Sequence, residues 1–147
     1  MADLVPAQRV SPETGATLSY ERRPLVVTAP WFPDYSETIE SVPGWYSSED
    51  QEDAIFDDSG LALVEAAQRR MRDAFKEFLV SLRLQHNLSQ RDAGLIIGGG
   101  PNAFQKYEAG TIVPRGAMGT LLSVLARHPE EVTKLVAEYR AKHREYA

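Results

Sequence analysis

From Leu61 to Ala93 the chain runs 33 residues without a glycine or a proline. Such an interval is far too long for one strand and suits about nine turns of helix. Leu61, Val64, Met71, Phe75, Phe78 and Leu82 recur at the helical period, which predicts a helix ending near Asn87. Ser89-Gln90-Arg91-Asp92 then opens a second helix with capping-box spacing, Asp92 standing where Glu or Gln is usual. Leu95-Ile96-Ile97 is its apolar end, Gly98-Gly99-Gly100 a turn, and Pro101 suits the first position of a third helix. Met118, Leu121, Leu122 and Leu125 mark a fourth helix. His128-Pro129 starts a fifth, with Val132, Leu135, Val136 and Tyr139 on its buried stripe. Residues 61–147 therefore read as an all-α, five-helix module.

The chain before residue 60 is of another kind. Six of the nine prolines (Pro6, Pro12, Pro24, Pro30, Pro33 and Pro43) and both tryptophans, Trp31 and Trp45, lie there. Charge changes at the same place: residues 1–60 carry 3 basic and 12 acidic side chains, 3 − 12 = −9, and residues 61–147 carry 13 and 9, 13 − 9 = +4. Two modules with different partners explain that polarity, and solvated charge that serves solubility alone is the plainer account. The boundary is placed at Asp58-Ser59-Gly60.

Short strands and turns are expected in the first module. Pro12-Glu13-Thr14-Gly15 is turn chemistry, Ala16 to Glu21 and Pro24 to Ala29 read as strands, and Tyr35 to Val42 as a third with Tyr35, Glu37 and Ile39 on one face. Pro43-Gly44 marks a further turn. Sixty residues bury little surface, so this module needs a partner or a core made by Tyr20, Trp31, Phe32, Tyr35, Trp45, Tyr46 and Phe56. The whole is of the α+β class: a small β-rich module followed by helices.

Two short helices joined by a glycine turn form the pattern of a helix-turn-helix. In the third helix Ala103, Phe104 and Tyr107 face the core, and Asn102, Gln105, Lys106 and Ala109 share the outer face. Asn and Gln can bond adenine bidentately, Lys can meet guanine or a phosphate, and Ala109 lets DNA approach. Ser89 and Gln90 can hold a phosphate through side chain and backbone N–H. Each residue also has a plainer role: Asn102 as a local cap, Gln105 and Lys106 as solvated side chains, Gly98 to Gly100 as a turn under either reading. Glu108, acidic on a helix meant for DNA, is assigned to a structural ion pair or cap. Arg69, Arg70 and Arg72 either clamp flanking phosphates or pair with Glu65, Asp73 and the acidic first module.

Other classes find less support. With no cysteine there is no disulfide framework, thiol nucleophile or thiolate zinc site. His86, His128 and His143 lie near helix ends without a catalytic motif, so an enzyme is not expected. The acidic run from Glu49 to Asp58 lacks the order of a calcium loop and reads as a solvated linker. No apolar run suffices for a membrane span, and MADLVPAQRV lacks a signal core, so a cytoplasmic location is expected.

The string GGGPNAFQKYEAG, Gly98 to Gly110, resembles the recognition segment of MqsA-type antitoxins, whose DNA-binding domain is of the XRE-like helix-turn-helix class. LSQRDAGLIIGGG before it and LLSVLARHPEEV after it fit as well, so the resemblance covers roughly residues 74–140. It implies base reading by Asn102 and by Lys106, where the family often has Arg, and Lys lacks the bidentate fork. It extends weakly to Ser11-Pro12-Glu13-Thr14-Gly15 and to Gly44-Trp45-Tyr46-Ser47-Ser48-Glu49-Asp50, stretches where family members carry zinc-binding cysteines. The zinc positions would be Ser11, Thr14, Ser47 and Asp50, and hydroxyls with one carboxylate cannot replace four thiolates, so no metal or other cofactor is expected.

What the resemblance implies is an antitoxin that neutralises a cognate toxin, commonly a small basic ribonuclease, through its first module. The second module would bind palindromic operator DNA as a homodimer and repress the operon. The −9 charge suits a basic partner. Strand edges near Leu25 to Ala29 or Tyr35 to Val42 either extend a toxin sheet or pair internally. Leu121, Leu125, Val132, Leu135, Val136 and Tyr139 are shared between monomer core and dimer contact. The alternatives are a stand-alone helix-turn-helix regulator, which needs no toxin gene beside it, and a toxin-binding protein whose helical module only dimerises.

Overall fold

The computed structural model describes residues 5–29, 32, 35–50 and 52–144. Among the described residues four strands precede five helices: β1 (Gln8–Val10), β2 (Thr17–Thr28), β3 (Ser36–Tyr46), β4 (Ala54–Phe56), α1 (Asp58–Gln85), α2 (Gln90–Ile96), α3 (Ala103–Ala109), α4 (Gly116–Arg127) and α5 (Pro129–Arg144). The α+β reading holds. Two compact units are present, one of residues 1–27 and 36–70, the other of residues 28–35 and 71–147. Asp58-Ser59-Gly60, where composition shifts, forms the first turn of α1.

In the first unit the sheet order is β1-β2-β3-β4. β1 pairs antiparallel with the start of β2 (Val10↔Thr17, Gln8↔Ser19), and β4 with the end of β3 (Gly44↔Phe56, Tyr46↔Ala54). The Ser11–Thr14 turn joins β1 to β2, with Gly15 at φ +74°. The two strands expected at Ala16–Glu21 and Pro24–Ala29 are one, β2, running through Pro24. β1 ends opposite Ser19, so Pro24 lies where its missing N–H breaks no β1–β2 pair. Pro43-Gly44 is likewise strand and not turn. The Pro43 carbonyl still accepts from Asp57 N–H at 3.4 Å, and a Cβ on Gly44 would collide with the Ile55 carbonyl oxygen. Leu18, Val42, Trp45 and Tyr46 are buried, Trp45 donating Nε1–H to the Pro6 carbonyl at 2.8 Å. Arg9 lies over the Trp45 ring and Arg23 over that of Tyr46.

α1 buries Val64, Ala67, Met71, Phe75, Leu79 and Leu82, a stripe three and four residues apart. Leu61, expected in that stripe, is 45% exposed. Gly60 takes the inward place, so close to the Pro43 carbonyl that a Cβ would overlap it. Asp57 caps the helix: its Oδ1 accepts from Gly60 N–H at 2.7 Å, and Tyr20 donates its hydroxyl to Oδ2 at 2.5 Å.

The second unit packs Phe75, Leu79, Leu82, Leu88, Ala93, Ile97, Phe104, Leu122, Leu125, Val132 and Val136 into one core. Phe32 packs against it, its ring 5.1 Å from that of Phe75 and stacked at 15° on Tyr35. These two aromatics, expected in the sheet module, thus serve the helical unit, because residues 28–35 belong to it. Trp31 lies outside the described residues. Leu125, Val132 and Val136 are core, Leu121 and Leu135 pack on it, and Val124 stays 37% exposed.

Candidate functional site

The outer face of α3 is built from three locally determined features. Gly98, Gly99 and Gly100 all take positive φ (146°, 92° and 92°), conformations open to glycine at no steric cost. Pro101 follows, but it stands before the N-cap, Asn102, and not at the first helical position. Gly110 ends the helix at φ +77°, passing its N–H to the Tyr107 carbonyl. Seven residues remain, too few to rotate independently of their packing.

Packing fixes that rotation. Ala103 and Phe104 are buried, Tyr107 is half-buried with its ring edge-on to Phe104 at 5.8 Å, and burial pushes its phenol pKa up. Asn102, Gln105, Lys106 and Ala109 are exposed. Asn102 sits at the cap position, yet its side chain makes no cap hydrogen bond. Its amide is not spent on the local role open to it.

Glu108 has the ion-pair role anticipated for it. Its carboxylate meets Arg83 of α1, Nη2 to Oε1 at 2.9 Å and Nε to Oε2 at 3.2 Å, with the Glu108 side chain only 7% exposed. Arg83 also donates Nη1–H to the Leu88 carbonyl at 3.2 Å, so one guanidinium ties α1, the α1–α2 loop and α3. Gly94 brings α2 against the turn: it accepts from Gly98 and Gly100 N–H, and a Cβ there would strike the Gly100 carbonyl oxygen. Arg83 and Gly94 escaped sequence reasoning, since neither contact is marked by a local motif.

Ser89 caps α2, its Oγ accepting from Asp92 N–H at 3.0 Å, which leaves its O–H as a donor. Ser89 is exposed and Gln90 half-buried. The three arginines differ. Arg69 and Arg72 are exposed, and Arg70 forms a bidentate pair with Glu37 of β3, at 2.9 Å from Nε and 2.5 Å from Nη2. Arg69 and Arg70 lie in the first unit and Arg72 in the second.

In the sheet, β2 extends past its pairing with β1 and β3 begins before its pairing with β4. Along residues 20–28 and 36–43 each long strand thus has one edge without a strand partner among the described residues. Tyr35, Glu37 and Ile39 are half-buried and Ser36, Thr38 and Glu40 exposed, the alternation expected.

The four positions where the resemblance places zinc are committed to hydrogen bonds. Ser11 and Thr14 donate to the two carboxylate oxygens of Asp53, each at 2.6 Å. Ser47 Oγ accepts from Glu49 and Asp50 N–H, and Asp50 Oδ1 from Glu52 N–H. Neutral hydroxyls held this way, beside an exposed carboxylate, do not fit a tetrahedral zinc ion. Among the described residues no group of three or more His, Cys, Asp or Glu stands close enough to hold a metal. No helix among them is long and apolar enough to cross a membrane.

Comparison with known proteins adds two findings. The model of a family described as the antitoxin component of bacterial toxin-antitoxin system, MqsA, matches residues 33–137. Antitoxin MqsA of Escherichia coli (strain K12) is 42% identical over 59 residues, which are 40% of this chain and 45% of that protein. The match thus spans less than half the length of that curated relative.

Proposed function

The chain belongs to the MqsA antitoxin family, and from that premise we propose that it neutralises a cognate toxin and represses its own operon. The family is one of regulators, not catalysts. The helical unit is read as an XRE-like helix-turn-helix in which α3 enters the major groove. Asn102 and Lys106 read bases, Gln105 supports them, and Ser89 and Gln90 hold a phosphate. The observation that carries this reading is the exposed, unspent amide of Asn102 on a helix whose opposite face is locked into the core.

The protein acts on DNA as a homodimer. Two recognition helices about 34 Å apart then call for a palindromic operator with half-sites one turn apart. Because Leu125, Val132 and Val136 are spent in the core, the dimer contact falls to Leu121, Val124, Leu135 and Tyr139. Arg69 and Arg72 contribute to flanking phosphates. Arg70 does so only if it leaves Glu37.

The sheet unit takes the toxin, a small basic ribonuclease. Its open edges along β2 and β3 suit strand addition, and the −9 charge of residues 1–60 suits a basic partner.

The test is a titration of the purified protein against its own upstream region, with a scrambled competitor and the Asn102→Ala variant. Tight, sequence-dependent binding that the variant loses is the expected result. Equal affinity for both sequences overturns the repressor reading. Co-purification of the full chain with the product of an adjacent toxin-like frame tests the other half, and backbone hydrogen exchange in that complex that slows only in residues 71–144, with β2 and β3 unaltered, overturns the role given to the sheet.

A further inference from the structure

Two turns, one after β1 and one after β3, are built alike. In Ser11-Pro12-Glu13-Thr14 the first hydroxyl accepts from the N–H groups two and three residues on, at 3.3 and 3.2 Å. In Ser47-Ser48-Glu49-Asp50 the same two bonds recur, both at 3.2 Å. Such a turn gathers N–H donors around one central atom.

Asp53 touches both turns. Its carboxylate oxygens accept from Ser11 and Thr14, and its backbone carbonyl and N–H bond Ser47 N–H at 3.1 Å and the Asp50 carbonyl at 3.2 Å. Ser11, Ser47 and Asp53 are 2%, 4% and 8% exposed, so the Ser11–Asp53 bond is shielded from water, while Thr14 stands at the exposed side of the junction. Ser11 Oγ donates once and accepts twice, which is the full capacity of a hydroxyl. Arg23 adds a bond from Nη1 to the Ser47 carbonyl at 3.0 Å.

We propose that Asp53 is the clasp of the sheet unit, joining the Ser11–Thr14 turn to the Ser47–Asp50 turn, so that this unit folds without any metal ion. The bonds span 42 and 39 residues of chain, so the clasp closes a long loop as a structural metal would. They are short and charge-assisted, the class of hydrogen bond whose loss costs most. A cation entering here would have to break bonds already made, and it would find three neutral hydroxyls and the carboxylates of Asp53 and Asp50, all of them already hydrogen-bonded. The sheet unit is therefore indifferent to chelators and to thiol oxidants. This inference is independent of the reading of α3 and of the toxin's identity.

The experiment uses the full chain. Metal content is measured by elemental analysis, the thermal midpoint with and without EDTA, and backbone hydrogen exchange in the wild type, Thr14→Val and Asp53→Asn. Expected are substoichiometric metal, an unchanged midpoint in EDTA, and exchange about tenfold faster or more in both turns of each variant. Peptides from residues 90–144 should exchange as in the wild type. One bound metal per chain, or a midpoint lowered by EDTA, overturns the proposal. So does exchange at residues 47–53 that neither variant alters. Should Asp53→Asn fail to fold, Thr14→Val, which deletes one donor and keeps the carboxylate, decides.

Discussion

Glu108 is the residue whose chemistry most contradicts its setting, and its partner resolves the conflict. On a helix that faces DNA an exposed carboxylate would repel phosphates. Held by Arg83 and 7% exposed, its charge is neutralised and put to use in orienting α3. Glu108→Ala should therefore destabilise the helical unit by about 2–4 kcal/mol, because it strands a partly buried guanidinium. Denaturant unfolding measures that, and DNA affinity should fall with it although Glu108 touches no base. Arg83→Lys, with Glu108 intact, should be destabilising as well, since an ammonium cannot make the paired bonds. Asn102→Ala is expected to do the opposite: unchanged stability, about 1–3 kcal/mol lost in operator affinity and relaxed preference at one base, read from titrations on single-base operator variants. Sequence pattern exposed the inward and outward sides of α3, and it marked Glu108 as structural. It did not reveal Arg83, because a contact spanning 25 residues leaves no local spacing to read.

At the scale of elements, helices were legible where chemistry is local and strands were not. Ser89 caps α2 as its spacing announces, and α1 stops at Gln85 with Asn87 at φ +54°, close to the expected end. The proline at 24 and the Pro43-Gly44 pair misled, since a proline breaks a strand only where a neighbour needs its N–H, and that depends on pairing. The junction of α2 with α3 is likewise a matter of tertiary approach. Gly94 lies in a helix interior where alanine would ordinarily be favourable, yet the Gly100 carbonyl occupies the space a methyl group needs. Gly94→Ala is expected to cost about 1–3 kcal/mol and to displace α3 relative to α2. Calorimetry gives the first, and altered amide shifts across residues 98–110 give the second. A stabilised variant would show that the turn yields easily.

Over the whole molecule the charge division sets two responses to solution conditions. The operator binding proposed for a chain of net charge −5 would rely on a local basic surface, so affinity should fall steeply between 50 and 200 mM salt, by about a hundredfold or more. Acid should act on the sheet unit. The Ser11 hydroxyl first, then that of Thr14, holds the Asp53 carboxyl below its ordinary value of 3.8, and the Tyr20 hydroxyl with Gly60 N–H does the same for Asp57. A depressed folded pKa means the unfolded chain takes the proton first. Both carboxylates thus stabilise the fold fully above the ordinary value and lose that effect as pH falls through their folded values. Stability should be flat from pH 7 to pH 5 and decline below about pH 4, with the Trp45 signal changing before the helical far-ultraviolet signal. Simultaneous loss of both signals would contradict it. None of this was visible in the acidic run itself, where Asp53 and Asp57 look like their solvated neighbours.

The segment at residues 28–35 gives the chain an unusual itinerary. Although it sits between two strands of the sheet, it belongs to the helical unit, where Phe32 covers Phe75 and Phe78. A single cut at residue 60 or 70 therefore cannot deliver both halves intact, because the downstream fragment leaves behind the ring that shields its own phenylalanines. Recombination between related genes faces the same constraint. A crossover in the long helix would bring a foreign residue 32 to a core it has never met, so Phe32 and the helices it packs against are expected to be inherited together.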